Sequence, residues 1–287
     1  MQKDHLQTMM INSVSNELVR EMVLQALEED IKSGDITAEL IPSHHQAKAN
    51  IITREDMVVC GTQWVNETFR EINSSIQLTW HVQDGDTVSE NSTLFSVEGN
   101  ARSLLSAERT ALNFLQMLSA TATQTKKLVN LIAHTNCKLL DTRKTIPGYR
   151  IAQKYAVRCG GGLNHRIGLY DAFLIKENHI NACGSITKAV QQAKNNHPEK
   201  MVEVEVESIQ ELKEALLAEA NVIMLDNFSQ HMMIDAVKIT SGKAQLEASG
   251  NVSEKTISKI AETGVDFISV GGITKHIQAI DLSMRFI

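Results

Sequence analysis

Residues 137–150 read CKLLDTRKTIPGYR. The first four suit a buried strand. Asp141 and Thr142 follow, then two adjacent cations, Arg143 and Lys144, and finally a Pro147-Gly148 turn. A surface loop would explain such a tip once, but the pattern recurs downstream. Six short apolar runs succeed one another after residue 136: CKLL, AFLI, VEVEV, VIML, AQLEA and FISV. Helical periodicity separates most of them, over 186–196, 209–219, 231–239 and 253–262. Strand–helix alternation predicts βαβ units and a parallel sheet. Every run ends in polar or glycine residues: Asp141 to Lys144, Lys176 to His179, Glu205 to Ser208, Asp226-Asn227, Ser249-Gly250-Asn251 and Gly271-Gly272. In a (β/α) barrel those ends converge on one face, where active sites lie. A dinucleotide-binding sheet needs a glycine fingerprint after its first strand, and none follows CKLL. An α/β barrel is therefore expected, incomplete because only six strands are legible.

Upstream the pattern is mixed α+β. Residues 18–29 predict a helix, and 47–60 and 76–97 predict short strands. Asp84-Gly85 reads as a hairpin turn between two of those strands. Calcium-loop ligand spacing is missing around it. A long helical pattern covers 103–134 and could break near 119–123.

Composition narrows the class. The 287 residues are 43% hydrophobic, enough for one large domain or two smaller ones. The net charge of -6 disfavours a general nucleic-acid binder. No run approaches the roughly 18 apolar residues of a membrane span, and the start lacks a signal-peptide core. Cys60, Cys137, Cys159 and Cys183 form no C-x-x-C pair, so no zinc knuckle or disulfide framework is signalled. A reduced, cytoplasmic protein with no membrane and no nucleic-acid partner is expected.

The strand ends carry the chemistry. Arg143, Lys144, His165, Arg166 and Lys176 would share one face. Each alone reads as a solvated surface charge, but together they suit a small polyanion. Gly160-Gly161-Gly162 could bring backbone N–H groups to a ligand, or simply end a helix. Ser249-Gly250-Asn251 and Gly271-Gly272 each precede a helical run late in the strand order, where barrels bind phosphate. The TSGK at 240–243 lacks the upstream glycine of a P-loop. In VEVEVES, alternation places Glu203, Glu205 and Glu207 on one side and the valines on the other. The valines suit the helix layer, so Glu205 and Glu207 are expected at the mouth. With Asp226, such carboxylates could bind Mg²⁺ near a phosphate, hold ribose hydroxyls or stabilise a cation-like sugar. A strand flank paired with lysines is the plainer alternative. No Ser-His-Asp or Cys-His arrangement competes for the site.

LLDTRKTIPGYR, KYAVRCGGGLNHRIGLYDAFLIKENHI, VEVEVES, IMLDNFS, LEASGN and VDFISVGGITKH closely resemble the quinolinate phosphoribosyltransferase family, as do GDITAELI, ITRE, ERTALNFLQ and AIDLSMRF. The resemblance implies an N-terminal open-faced α/β sandwich, placed at 1–112 and 281–287, and an incomplete, TIM-like α/β barrel at 113–280. It implies Mg²⁺-dependent transfer from phosphoribosyl pyrophosphate to quinolinate, with decarboxylation, on the de novo NAD route. Arg143, Lys144, His165 and Arg166, with Thr142 beside them, map onto the quinolinate pocket. Arg109 would reach in from the other subunit of a homodimer or a larger assembly of dimers; locally it looks like any helix-surface cation. Lys176, Glu205 and Asp226 match the phosphoribosyl pyrophosphate and metal positions, the metal held directly or through water or substrate. Lys144, Lys176, Glu205 and Asp226 would be catalytic. Ser249, Gly250 and Asn251, with Val270, Gly271 and Gly272, match a 5′-phosphate cradle, and His276 lies in the same segment. Two enzyme alternatives remain beside this: a sister phosphoribosyltransferase, and an aldolase using Lys176 as a Schiff base. A non-catalytic phosphosugar sensor would have less use for Glu205 and Asp226.

Overall fold

The computed structural model describes residues 11–287. The part of the N-terminal reading that falls on residues 1–10 lies outside the described residues. Two compact units are present, the first from 11–124, 151–161 and 276–287, the second including 125–150 and 162–275.

The first unit is built on an antiparallel sheet of β1 (Gln46–Thr53), β3 (Gln77–Trp80), β5 (Thr93–Asn100) and β12 (Leu282–Phe286). The strand order is β12-β1-β5-β3, so the last strand of the chain pairs with the first. Ala49 and Ile51 alternate to one face of β1 and pack against Leu104, Ala107, Ala111, Leu112 and Leu115. Those five recur at helical spacing along the helix Ala101–Ile132. Each leucine buried there contributes about 1.5–3 kcal/mol.

That helix does not break near 119–123. Thr121 and Thr123 hydroxyls donate to the carbonyls four residues back, Met117 (3.2 Å) and Ser119 (2.7 Å). Ser119 Oγ and Thr123 Oγ1 also accept from the backbone N–H groups of Cys60 (3.0 Å) and Val58 (2.8 Å). The hydroxyls thus bind a neighbouring segment instead of competing with the helix. The hairpin expected at Asp84-Gly85 is also corrected. The turn forms, with Gly85 at φ +94°. Its flanking strands do not pair with each other: β3 pairs β5, while β4 (Thr87–Val88) pairs β2 (Met57–Val58). Asp84 Oδ1 instead accepts from Gly61 and Thr62 N–H (3.0 and 3.1 Å), capping the helix Thr62–Ile72.

The second unit contains all six apolar runs as parallel strands: β6 (Lys138–Leu140), β7 (Phe173–Ile175), β8 (Val202–Val206), β9 (Val222–Asp226), β10 (Gln245–Ser249) and β11 (Phe267–Ser269). Their order is β6-β11-β10-β9-β8-β7, and Leu163 bridges to β6 at the edge. The helices Ile186–Asn196, Ile209–Leu217 and Gln230–Thr240 each open on a serine, Ser185, Ser208 and Ser229. In each the serine hydroxyl accepts from the third helical N–H, at 3.1, 3.2 and 3.3 Å. The helix expected over 253–262 shortens to Ile257–Ala261, because Ser253 and Thr256 tie off a turn first. Side chains from β7, at one end of the strand order, and β11, near the other, line one pocket. The sheet therefore curves around its C-terminal ends, as the barrel reading requires.

Candidate active site

The pocket at those ends encloses about 490 Å³. Nine of the expected residues line it: Thr142, Arg143, Lys144, His165, Arg166, Lys176, Glu205, Asp226 and Ser249. Leu174, Met224, Glu247 and Ser269 complete the wall.

The residues after β6 leave the strand at once, since β6 ends at Leu140. Asp141 is fully buried, and its two carboxylate oxygens accept from His165 N–H (2.9 Å) and Asn164 Nδ2 (2.6 Å). It fastens the His165–Arg166 segment beside β6. Thr142 Oγ1 accepts from Lys144 N–H (3.0 Å), closing a tight bend. That bend allows Arg143 and Lys144, adjacent in sequence, to line one pocket, which a regular strand forbids.

Arg166 is 8% exposed, and its Nη1 donates to Ala172 O (3.2 Å). Burial, and then the neighbouring Arg143 charge, lower its pKa. The Nε atoms of Arg143 and Arg166 are buried without a hydrogen-bond partner. A buried and a half-buried guanidinium, each with its Nε unpaired, call for an anion.

Lys176 Nζ bonds Glu205 at the end of β8. Asp226 ends β9, and Asn227 Nδ2 donates to its carboxylate (2.9 Å). Glu207 departs from the expectation. It is exposed and faces a separate hollow of about 80 Å³. Alternation stops because β8 ends at Val206 and the helix cap Ser208 follows.

Gly250, next to the pocket, is held to glycine by its backbone and by contact, and Gly271 sits close against Lys144. A Cβ at Gly250, with φ +89°, would lie 2.2 Å from Asn227 Oδ1. Asn251 Nδ2 donates to that same oxygen (3.2 Å). A Cβ at Gly271 would lie 2.9 Å from Lys144 Cδ. Gly250→Ala should therefore strain this loop and cost about 1 kcal/mol or more of stability, seen by calorimetry as a lower melting temperature. Val270 and Gly272 adjoin Gly271 but do not line the pocket. Gly160-Gly161-Gly162 end the helix Arg150–Cys159, with Gly161 at φ +86°. Arg109 and His276 fall in the first unit, both exposed.

Sequence reasoning missed three residues of this region. Asp141 was read only as part of a polar tip. Glu203 and Glu247 are each 1% exposed and face His165, whose Nε2 lies 2.9 Å from Glu203 Oε2 and 3.6 Å from Glu247 Oε2. Their signal was an acid inside a core strand, VEVEV and AQLEA, which burial forces into some partnership. Desolvation, then the Glu203 charge, push the Glu247 carboxyl up to about 8, from an ordinary 4.5. A folded-state pKa above the unfolded one adds stability that is complete below about 4.5 and lost as pH rises through about 8. The melting temperature should fall across that window, and less steeply in Glu247→Gln. Parallel slopes for the two proteins would contradict this.

Comparison with known proteins divides the chain near residue 120. Residues 35–119 match the model of the quinolinate phosphoribosyl transferase N-terminal domain, and residues 121–285 that of its C-terminal domain. The chain is 38% identical over 257 residues to a probable nicotinate-nucleotide pyrophosphorylase [carboxylating] of Bacillus subtilis (strain 168), covering 89% of each chain. It is 41% identical to the chloroplastic nicotinate-nucleotide pyrophosphorylase [carboxylating] of Oryza sativa subsp. japonica, covering 91% of this chain and 75% of the other. Its fold superposes on the nicotinate-nucleotide pyrophosphorylase of Francisella tularensis with TM-score 0.95 and 55% identity, covering 97% and 99%. With both domain models matched in order and relatives spanning most of its length, the chain belongs to the quinolinate phosphoribosyltransferase family of enzymes.

Proposed function

We propose that this chain transfers the phosphoribosyl group of phosphoribosyl pyrophosphate to the ring nitrogen of quinolinate, with loss of CO₂, forming nicotinate mononucleotide and pyrophosphate. One observation carries the reading: Arg143 and Arg166 line one pocket with their Nε groups buried and unpaired. A planar dianion offers each guanidinium a carboxylate. Nicotinate offers one and leaves buried charge unmatched, so the pocket favours the diacid.

In this reading Arg143, Lys144, His165 and Arg166 hold quinolinate, with Thr142 setting the bend. Ser249, Gly250, Asn251, Val270, Gly271 and Gly272 surround the 5′-phosphate. Departure of pyrophosphate builds positive charge on the ribose anomeric carbon, and Glu205 and Asp226 stabilise it from adjacent strands. Lys176, beside Glu205, faces the departing phosphate oxygens. The quinolinate nitrogen then bonds the same carbon and becomes a pyridinium. The electron pair of the bond to the 2-carboxylate flows into that ring as CO₂ leaves, and a proton from solvent takes its place. Two carboxylates on neighbouring strands suit a hard cation. Glu205 and Asp226 would hold Mg²⁺, directly or through water or substrate oxygens, and the ion would offset charge gathering on pyrophosphate.

A discontinuous assay with quinolinate, phosphoribosyl pyrophosphate and Mg²⁺ tests the reading by following nicotinate mononucleotide and CO₂. Turnover of nicotinate with none of quinolinate would overturn it. The chain is further read as a cytoplasmic homodimer or a larger assembly of dimers, with Arg109 of the partner subunit completing each site and His276 bordering the phosphate end. Mixing Arg109→Ala with Lys144→Ala should then restore activity, because mixed dimers regain an intact site. Absence of recovery after verified subunit exchange would exclude sharing.

A further inference from the structure

We infer that Glu203 and Glu247 are positioning residues for this reaction: they fix the tautomer and place of His165, and with it Arg166, at the floor of the anion pocket. The inference rests on the phosphoribosyl-transfer reading above.

The argument begins at a backbone group. Arg166 N–H, which can only donate, lies 2.8 Å from His165 Nδ1. Nδ1 must therefore be the acceptor, and a neutral imidazole then carries its proton on Nε2. Nε2 lies within ion-pair distance of Glu203 Oε2, at 2.9 Å, and of Glu247 Oε2, at 3.6 Å. Two ionised carboxylates could not share so dry a place. Burial, and then the Glu203 charge, push the Glu247 carboxyl up to about 8. The Arg166 guanidinium lies close enough to Glu203 to feel its carboxylate. Arg143 and Asp171 also act on this cluster through Arg166, and the nearby Cys137 thiol is pushed up to about 12 by burial.

These three side chains could also be taken for a metal site, since their ligand atoms lie within 4.8 Å of one another. The tautomer argues against it. A metal-bound imidazole gives the lone pair of one nitrogen and donates N–H from the other, but here Nδ1 accepts. The adjoining hollow of about 10 Å³ has room for roughly one water and no ligand. What remains is a support. Asp141 anchors the backbone of His165, Glu203 and Glu247 flank its ring at Nε2, and the ring receives the Arg166 N–H.

The experiment varies quinolinate and phosphoribosyl pyrophosphate independently on the full-length enzyme, with ¹⁵N spectra of the imidazoles alongside. Glu203→Gln keeps the volume but not the charge, and should raise the KM for quinolinate about tenfold or more. The KM for phosphoribosyl pyrophosphate should change less than about twofold. Glu247→Ala should show the same split. Glu247→Gln, which retains a neutral donor, should recover most of that loss. The spectrum should show His165 protonated on Nε2, and a mixture of tautomers in Glu203→Gln. A Glu203→Gln enzyme with an unaltered quinolinate KM would overturn the inference. So would a Glu247→Gln as damaged as Glu247→Ala, or a His165 proton on Nδ1. The spectra do not depend on turnover, so loss of the functional reading and loss of this inference are told apart.

Discussion

Arg166→Ala should lower kcat/KM for quinolinate by about 10²- to 10³-fold, a loss of about 3–4 kcal/mol. The magnitude follows from burial. Truncating one partner of a desolvated, hydrogen-bonded charge pair costs about 2–5 kcal/mol, against at most about 1 kcal/mol for an exposed one. Arg166 is 8% exposed, and its Nε has no protein partner to fall back on. Arg166→Lys keeps the charge but loses the planar fork, so it should recover only part of the loss. The effect should fall on the acid substrate and leave the phosphoribosyl pyrophosphate KM nearly unchanged. Initial-rate kinetics with each substrate varied decides it. A change below about threefold would remove Arg166 from the binding site.

Asp141→Ala should produce the largest loss of stability, about 3 kcal/mol or more, with activity lost in parallel. The carboxylate is fully buried and accepts from His165 N–H and Asn164 Nδ2. Hydrogen bonds to a charged acceptor contribute about 1.5–3 kcal/mol each, and the orphaned donors are left in a dry interior. For a chain of this size the melting temperature should fall by roughly 6–12 °C. Calorimetry measures the shift directly. A drop within about 2 °C would mean that the His165–Arg166 segment is held by other contacts.

The strands were legible because burial leaves a strong mark. All six apolar runs after residue 136 are strands of one parallel sheet. Three intervening helices were legible from their periodicity. Two local readings failed where a distant segment took up the side chain in question. The long helix passes Ser119–Thr123 intact because Val58 and Cys60 bind those hydroxyls, and Asp84 serves a helix cap instead of a hairpin.

Charge at the strand ends was also legible, since polar residues closing apolar runs gather at one end of the sheet. Their division of labour was not. Periodicity grouped Glu203, Glu205 and Glu207 together, yet each meets a different environment. Glu203 is sealed beneath the pocket, Glu205 pairs with Lys176 at its wall, and Glu207 turns out past the strand end. The sequence by itself determined the succession of strands along the chain, the residues at their ends and, through its motifs, the family. Only the tertiary structure decided which acids support, which line the site and which are solvated. That depends on where each strand stops and on which groups from remote strands close over it. Asp141 shows the difference: it is one more polar residue in DTRK, until Asn164 and His165 are folded onto it and a loop tip becomes a buried clamp.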